Sequence, residues 1–176
     1  FEHPLTYELG LEYYWRVEPY VQQNCDIDYD PFMFMKINNK AYGFTITLIE
    51  YEETIPTLWD HTKQFMKLHP DYFASDNLVE FVIDNGDFES SSYNLCHFWS
   101  NFEIGDINFF RSRQYKDYFE YLDKTGGFFY ERWGDAPVHS IAASLFLNKS
   151  QVYHFKDIGY VHDGMGHCPL GEKQFH

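Results

Sequence analysis

Four acidic positions stand out as places where this chain could do chemistry. Asp26-Ile27-Asp28-Tyr29-Asp30 spaces three carboxylates two residues apart, the pattern of a loop that clamps a divalent cation. A calcium loop needs a glycine at its sixth position and a bidentate Glu at its twelfth, and Pro31 and Ile37 stand there, so that reading fails. Glu18 follows an apolar and aromatic run, and a carboxylate at the end of a strand is held firmly and opens into a crevice. Spacing alone still favours a surface Glu at that position. Glu103 sits in an aromatic setting with Trp99 and Phe102, where a carboxylate could have a raised pKa or act as a nucleophile. An exposed turn is an equal reading for it. Asp135, before Ala-Pro, is first of all a good helix N-cap. His139, His154, His162 and His167 have no zinc-motif spacing, and a single His is more often a hydrogen-bonded polar residue than a ligand.

The elements that must position these groups follow from pattern. Residues 11–17 read as a strand ending at Glu18-Pro19, where proline stops the ladder. Residues 41–50 alternate as a second strand, with Phe44, Ile46 and Leu48 on one face. A helix from about Ile55 to His69 is expected, capped by Thr54 and closed by Pro70. Residues 74–92 read as a polar surface loop, and 93–99 and 104–110 as strands on either side of Asn101-Phe102-Glu103. Tyr115, Tyr118, Phe119 and Leu122 predict an amphipathic helix over 113–124, ended by Gly126-Gly127. Another helix runs from Asp135 to about Leu147, and a short strand occupies 151–155. Alternating strands and helices predict an α/β fold, and no linker or repeat divides residues 1–176, which read as a single unit.

Composition narrows the partners. The net charge of -14 argues against nucleic acid and against an anionic membrane surface. A nucleotide-sugar diphosphate would need a metal ion or a few local cations. Aromatic residues make up 21%, and flat rings suit the apolar faces of sugars, although an aromatic core explains them equally well. Cys25, Cys96 and Cys168 cannot all pair with one another, and Asn148-Lys149-Ser150 is an N-glycosylation triplet.

Several uninterrupted runs carry a family resemblance. They are Tyr13 to Pro19 (YYWRVEP), Thr54 to Trp59 (TIPTLW), Tyr93 to Ile104 (YNLCHFWSNFEI), Gly126 to Ala142 (GGFFYERWGDAPVHSIA) and Asp157 to Tyr160 (DIGY). Together they resemble the fungal α-1,2-mannosyltransferases, glycosyltransferase family 15, over essentially the whole chain. The resemblance implies a GT-A-like α/β fold with a mixed sheet flanked by helices, a manganese ion, GDP-mannose as donor and retention of configuration. It implies a mannosylated glycoprotein as acceptor, and a Golgi lumenal location in a type II membrane protein whose N-terminal anchor lies outside this chain.

Position by position, the resemblance gives Glu18 and His162 to the metal and Glu103 to the region of the anomeric carbon. Glu50 and Asp135 fall to the sugar pocket, with Asp135 also grouped with Glu103 as catalytic. Arg16 falls near the nucleotide, and Glu131 and Trp133 count among the substrate-binding residues. Asp26-Ile27-Asp28 invites comparison with the Asp-x-Asp metal motif of many glycosyltransferases, but it follows no hydrophobic strand and reads better as a capped helix start. The family's Glu-Pro-Asp is Glu18-Pro19-Tyr20 here, which puts metal affinity in question. The resemblance also implies a further N-terminal stretch that builds much of the nucleotide pocket, and a C-terminal tail, both outside residues 1–176. Mannosyl-phosphate transfer and a non-catalytic glycan-binding or assembly subunit remain as rival readings. Acceptor, linkage, cysteine pairing and oligomeric state are left open.

Overall fold

The structure, a computed structural model, describes residues 1–169. Its strands are β1 (Tyr13–Val17), β2 (Gln22–Gln23), β3 (Tyr42–Phe44), β4 (Thr47–Ile49), β5 (Cys96–Phe98), β6 (Phe102–Asp106), β7 (Val152–His154), β8 (Tyr160–His162) and β9 (Met165–His167). Its α-helices are α1 (Pro4–Glu8), α2 (Pro31–Ile37), α3 (Leu58–Leu68), α4 (Val79–Val82), α5 (Ile107–Phe110), α6 (Arg113–Thr125), α7 (Gly127–Tyr130) and α8 (Asp135–Phe146). The central sheet is four-stranded in the order β1-β6-β3-β7, antiparallel except for the parallel pair β3–β7. A three-stranded sheet, β2-β8-β9, and the β4–β5 pair stand beside it.

Side chains alternate across a strand, so the central sheet presents two different faces. Tyr13, Trp15, Phe102 and Ile104 pack with Met35 of α2, Phe155 and Tyr160 in one apolar cluster. Tyr14 and Tyr42 face the larger cluster built with α3, α6 and α8. Helix α8 lies at the centre of that cluster. It is apolar nearly all round, and Val138, Ile141, Ala142 and Leu145 are buried on it, as expected of a helix with no solvent face. Each large side chain fully buried here contributes about 1.5–3 kcal/mol. The buried Tyr118 hydroxyl avoids a desolvation penalty by pairing with Thr62 Oγ1 at 2.8 Å.

Several local expectations hold. The Asp30 carboxylate accepts from the backbone N–H groups of Phe32 and Met33 and opens α2, so the acidic run is a helix cap. Gly126, at φ 80°, ends α6 in the left-handed conformation that glycine adopts without penalty.

Others change. The stretch 41–50 is two strands in two sheets: β3 pairs with β6 and β7, and β4 with β5. The break at Thr45-Ile46 buries Thr45 and disturbs the expected alternation. Helix α3 starts after Thr57 rather than Thr54, which instead closes a short 3-10 turn over Glu52–Thr54. The segment 74–92 is no simple surface loop. It contains α4, buries Val82, Ile83 and Ser91, and is pinned by a bridge between Ile83 and Tyr93. The expected strand 104–110 ends at Asp106, whose side chain caps Asn108 N at 2.8 Å and turns the chain into α5. Glu103 therefore lies within β6, not in a turn. Asp135 is the first residue of α8, after Gly134 as N-cap. Phe119, expected on the buried face of α6, is 44% exposed.

Candidate active site

The site is assembled where β1, β6 and the N-terminus of α8 meet. Register places Arg16 directly opposite Glu103, so both side chains leave the same face of the sheet. Arg16 is the hub of the outer layer. Its Nε donates to Glu18 Oε1 at 2.6 Å, and its Nη1 donates to Ser100 Oγ at 3.2 Å and to Asp135 Oδ2. The Ser100 hydroxyl in turn donates to Asp135 Oδ1 at 3.2 Å. Two carboxylates far apart in sequence are thus tied by one guanidinium, whose planar fork suits several acceptors at once.

The inner layer surrounds Glu103. This carboxylate is 1% exposed, and it accepts from the Tyr14 hydroxyl at Oε1, from the Tyr42 hydroxyl at 2.5 Å, and pairs with His139 Nδ1 at 2.8 Å through Oε2. His139 stands one helical turn after Asp135, so α8 supplies one contact to each layer. Burial pushes the Glu103 pKa upward, but the His139 charge, its hydrogen bond and those of the two tyrosines outweigh burial and hold the group below its ordinary value. The sequence reading of a raised pKa is corrected on this point, because it foresaw the aromatic surroundings but not three hydrogen-bond donors. Burial first, and then the Glu103 charge, push the Tyr14 and Tyr42 hydroxyls well above the ordinary tyrosine value, so both remain donors.

Beside these layers lies an open cleft of about 350 Å³, walled by Glu50, Tyr51, His97, Trp99, Ser100 and Asp135, with Asn101, Pro137 and Met165 among the other residues around it. Glu50 Oε1 accepts from Tyr51 N at 2.9 Å, which leaves Oε2 unengaged by any close donor. A tryptophan face together with two carboxylates is the kind of lining that holds a sugar ring, with apolar stacking on one side and hydroxyl acceptors on the other. Glu103 does not line this cleft. A larger cleft of about 620 Å³ is lined by Phe1, Phe110, Tyr115, Phe119 and His139, with Glu2, Lys116 and Glu120 also around it.

The remaining expected site residues fall in three places. His162 lies on β8 against the Trp99 ring, with centroids 5.6 Å apart, and its Nδ1 is buried with no hydrogen-bond partner. Burial, and then the negative charge of Glu18, raise the neighbouring Tyr160 to about 12, which places Glu18 within electrostatic range of β8. Among the described residues no three His, Cys, Asp or Glu side chains converge as a metal cluster. Glu131 and Trp133 form a separate pair outside the 350 Å³ cleft. The indole N–H donates to Glu131 Oε2 at 2.7 Å, and Glu131 also accepts from Thr57. Trp133 is 5% exposed, packed over Gly127, where an added Cβ would run into its ring. Asn148 lies away from both clefts and accepts from Asp76 N at 3.1 Å while capping a 3-10 turn.

The structure adds residues that the sequence reading did not place: Tyr14, Tyr42 and His139 around Glu103, and Ser100 between Arg16 and Asp135. Alternation along YYWRV was a usable signal for Tyr14, since it shares a face with Arg16. Nothing local marks Tyr42 or His139.

Comparison with known proteins defines the class and then the family. The chain superposes on core-mannan synthase A from Aspergillus fumigatus, in its manganese and GDP form, with a TM-score of 0.92 and 48% identity, covering 99% of this chain and 48% of that one. On the mannosyltransferase Ktr4p from S. cerevisiae in complex with GDP the TM-score is 0.90 at 43% identity, covering 98% and 45%. The fold is therefore that of these mannosyltransferases, a mixed sheet flanked by helices, as the resemblance implied. Residues 4–176 match the family model described as glycolipid 2-alpha-mannosyltransferase, and the chain belongs to that family. It is 57% identical over 172 residues to the O-glycoside alpha-1,2-mannosyltransferase omh1 of Schizosaccharomyces pombe, covering 98% of this chain and 43% of that protein. It is 55% identical over 170 residues to the alpha-1,2 mannosyltransferase KTR1 of Saccharomyces cerevisiae, covering 97% and 42%. The chain thus spans less than half the length of the curated relatives it matches.

Proposed function

We propose that this chain forms part of the catalytic region of a retaining α-1,2-mannosyltransferase, which moves mannose from GDP-mannose to a mannose-terminated O- or N-linked glycan in the Golgi lumen. The observation that carries the proposal is the tryptophan-walled cleft with Glu50 and Asp135 at its edge, in a chain of this family. Asp135, fixed by Arg16 and Ser100, and Glu50, with Oε2 unengaged, are the carboxylates at the cleft that would accept hydrogen bonds from sugar hydroxyls. Arg16 holds Glu18 and Asp135 apart in one geometry, which pre-organises the site before substrate arrives.

Glu103 acts from the buried layer behind Arg16. Both its oxygens are engaged and it is ionised, which favours front-face displacement over a covalent glycosyl-enzyme. Its negative charge then stabilises the positive charge that develops on the sugar. Glu18 and His162 would hold manganese. A carboxylate and an imidazole suit that ion, and the buried, unpartnered Nδ1 of His162 is a nitrogen that lacks the partner a ligating histidine would have. Bound manganese supplies neutralisation of the diphosphate charge of the leaving GDP.

The test uses the full-length enzyme with GDP-mannose, manganese and methyl α-mannoside, and reads the product by mass and anomeric NMR. The expected product is an α-1,2-linked dimannoside that disappears on chelation and is lost in His162→Ala. A mannosyl-phosphate product, or donor binding without any sugar product, would overturn the proposal.

A further inference from the structure

The wall of the 350 Å³ cleft holds one buried side chain whose hydrogen bonding is incomplete. His97 is 5% exposed, and its Nδ1 is sealed from solvent with no partner. A buried polar nitrogen left unpaired is costly and calls for a reason. The nearest charged atom is Glu50 Oε2, 3.9 Å away. That distance exceeds a hydrogen bond by about 1 Å, which a small side-chain rotation closes.

The fold aims the two groups at each other. Pairing of β4 with β5 sets Leu48 opposite His97, and Glu50 N donates to Leu95 O at 2.9 Å just past the ladder. Glu50 Oε1 is occupied by Tyr51 N, so Oε2 is the oxygen free to respond to His97. Burial lowers the His97 pKa against the opposing pulls of Glu50 and the Leu95 backbone, and the neutral tautomer that carries its proton on Nδ1 is a single, directed donor. Catalytic hydrogen bonds are often long in an empty site and tighten when substrate fills it.

We propose that His97 is a positioning residue for Glu50: its Nδ1–H donates to Oε2 when a sugar occupies the cleft, and so directs the remaining lone pairs of the carboxylate at one sugar hydroxyl. This rests on the reading of the cleft as a hexose site. The ligand chemistry is a ring hydroxyl presented to a carboxylate, and it can come from the donor sugar or from the acceptor sugar.

The test compares His97→Phe, which keeps the ring and removes the donor, with His97→Asn, whose amide N–H₂ lies close to the position of Nδ1. Both are measured in the full-length enzyme with wild-type Glu50 and in a Glu50→Ala background. KM for GDP-mannose and for methyl α-mannoside is read separately, each with the other substrate saturating. His97→Phe is expected to raise one of the two KM values about tenfold, the loss of one hydrogen bond to a charged group. Which of the two rises identifies the sugar. His97→Asn should recover most of the loss, and His97→Phe should add nothing in the Glu50→Ala background. Equal defects in His97→Phe and His97→Asn, unchanged KM values, or a full tenfold effect without Glu50 would each overturn the assignment and leave His97 as packing. If the wild-type enzyme transfers no mannose, the proposed function fails, and the variants are then compared by calorimetric binding of methyl hexosides. Equal affinities there would overturn the role of His97 independently.

Discussion

Removing the imidazole of His139 should weaken the stability that Glu103 contributes above pH 4.5. Glu103 has an ordinary pKa of 4.5 in the unfolded chain and a lower one in the folded protein, held down by His139 and two tyrosines against burial. A depressed folded pKa contributes stability that is present above pH 4.5 and is lost as the pH falls through the folded value. In His139→Ala the charge and one hydrogen bond disappear, while burial, the largest single influence on Glu103, remains. The folded pKa of Glu103 then rises, opposed only by the two tyrosine hydrogen bonds, and the stability this group contributes above pH 4.5 falls, so the variant gains less than wild type between pH 4 and pH 8. With Glu103 1% exposed, breaking the pair should cost about 3–5 kcal/mol at pH 7. Guanidinium unfolding of wild type and variant at pH 4 and pH 8 measures both effects. Glu103→Gln placed on top of His139→Ala should recover part of the loss at pH 8, because the stranded charge is gone. A loss below about 1 kcal/mol with the same pH trend as wild type would refute the buried-pair argument.

Other expectations are more local. Gly127→Ala should destabilise by about 3 kcal/mol or more, read in the same unfolding assay, because its Cβ would overlap the buried Trp133 ring. Tyr20→Asn should stabilise by about 1 kcal/mol, since Tyr20 sits at φ 64° where Asn is tolerated far better. Because Tyr20 is 96% exposed, the same change should leave manganese affinity, measured by titration, unaltered. Arg16→Lys should lower turnover about tenfold or more with little change in melting temperature, since an ammonium cannot hold Glu18, Ser100 and Asp135 in the fixed geometry of a guanidinium.

The elements legible in the sequence were those specified by their own residues. Strand β1 is bounded by Pro19, α2 by the Asp30 cap, and α6 by its apolar spacing and Gly126. Elements that depend on distant partners were misread. Nothing near Thr45-Ile46 announces that 42–44 and 47–49 join different sheets, because the choice is made by Gly105, Val152 and Phe98 across the ladders. The apolar run after Ile104 reads as strand until the Asp106 cap is recognised as a helix start. The site followed the same division. The family resemblance named Glu50, Glu103 and Asp135, but no local pattern links Glu103 to Tyr42 and His139. Tertiary packing alone makes that contact, and it decides the charge state of the carboxylate.

The strand order β1-β6-β3-β7 has a consequence for how the protein is made. Neighbouring strands of this sheet are drawn from residues 13–17, 102–106, 42–44 and 152–154, so every ladder joins distant parts of the chain. Such pairings pay their loop-closure entropy before any contact rewards it, and they form slowly. On the ribosome, β1 and β3 emerge long before β6, the strand that both of them pair with, and β7 comes later still. Until then the aromatic faces of β1 and β3 are uncovered. These faces must therefore be shielded from aggregation until residues 102–106 emerge, and this sheet completes late rather than strand by strand.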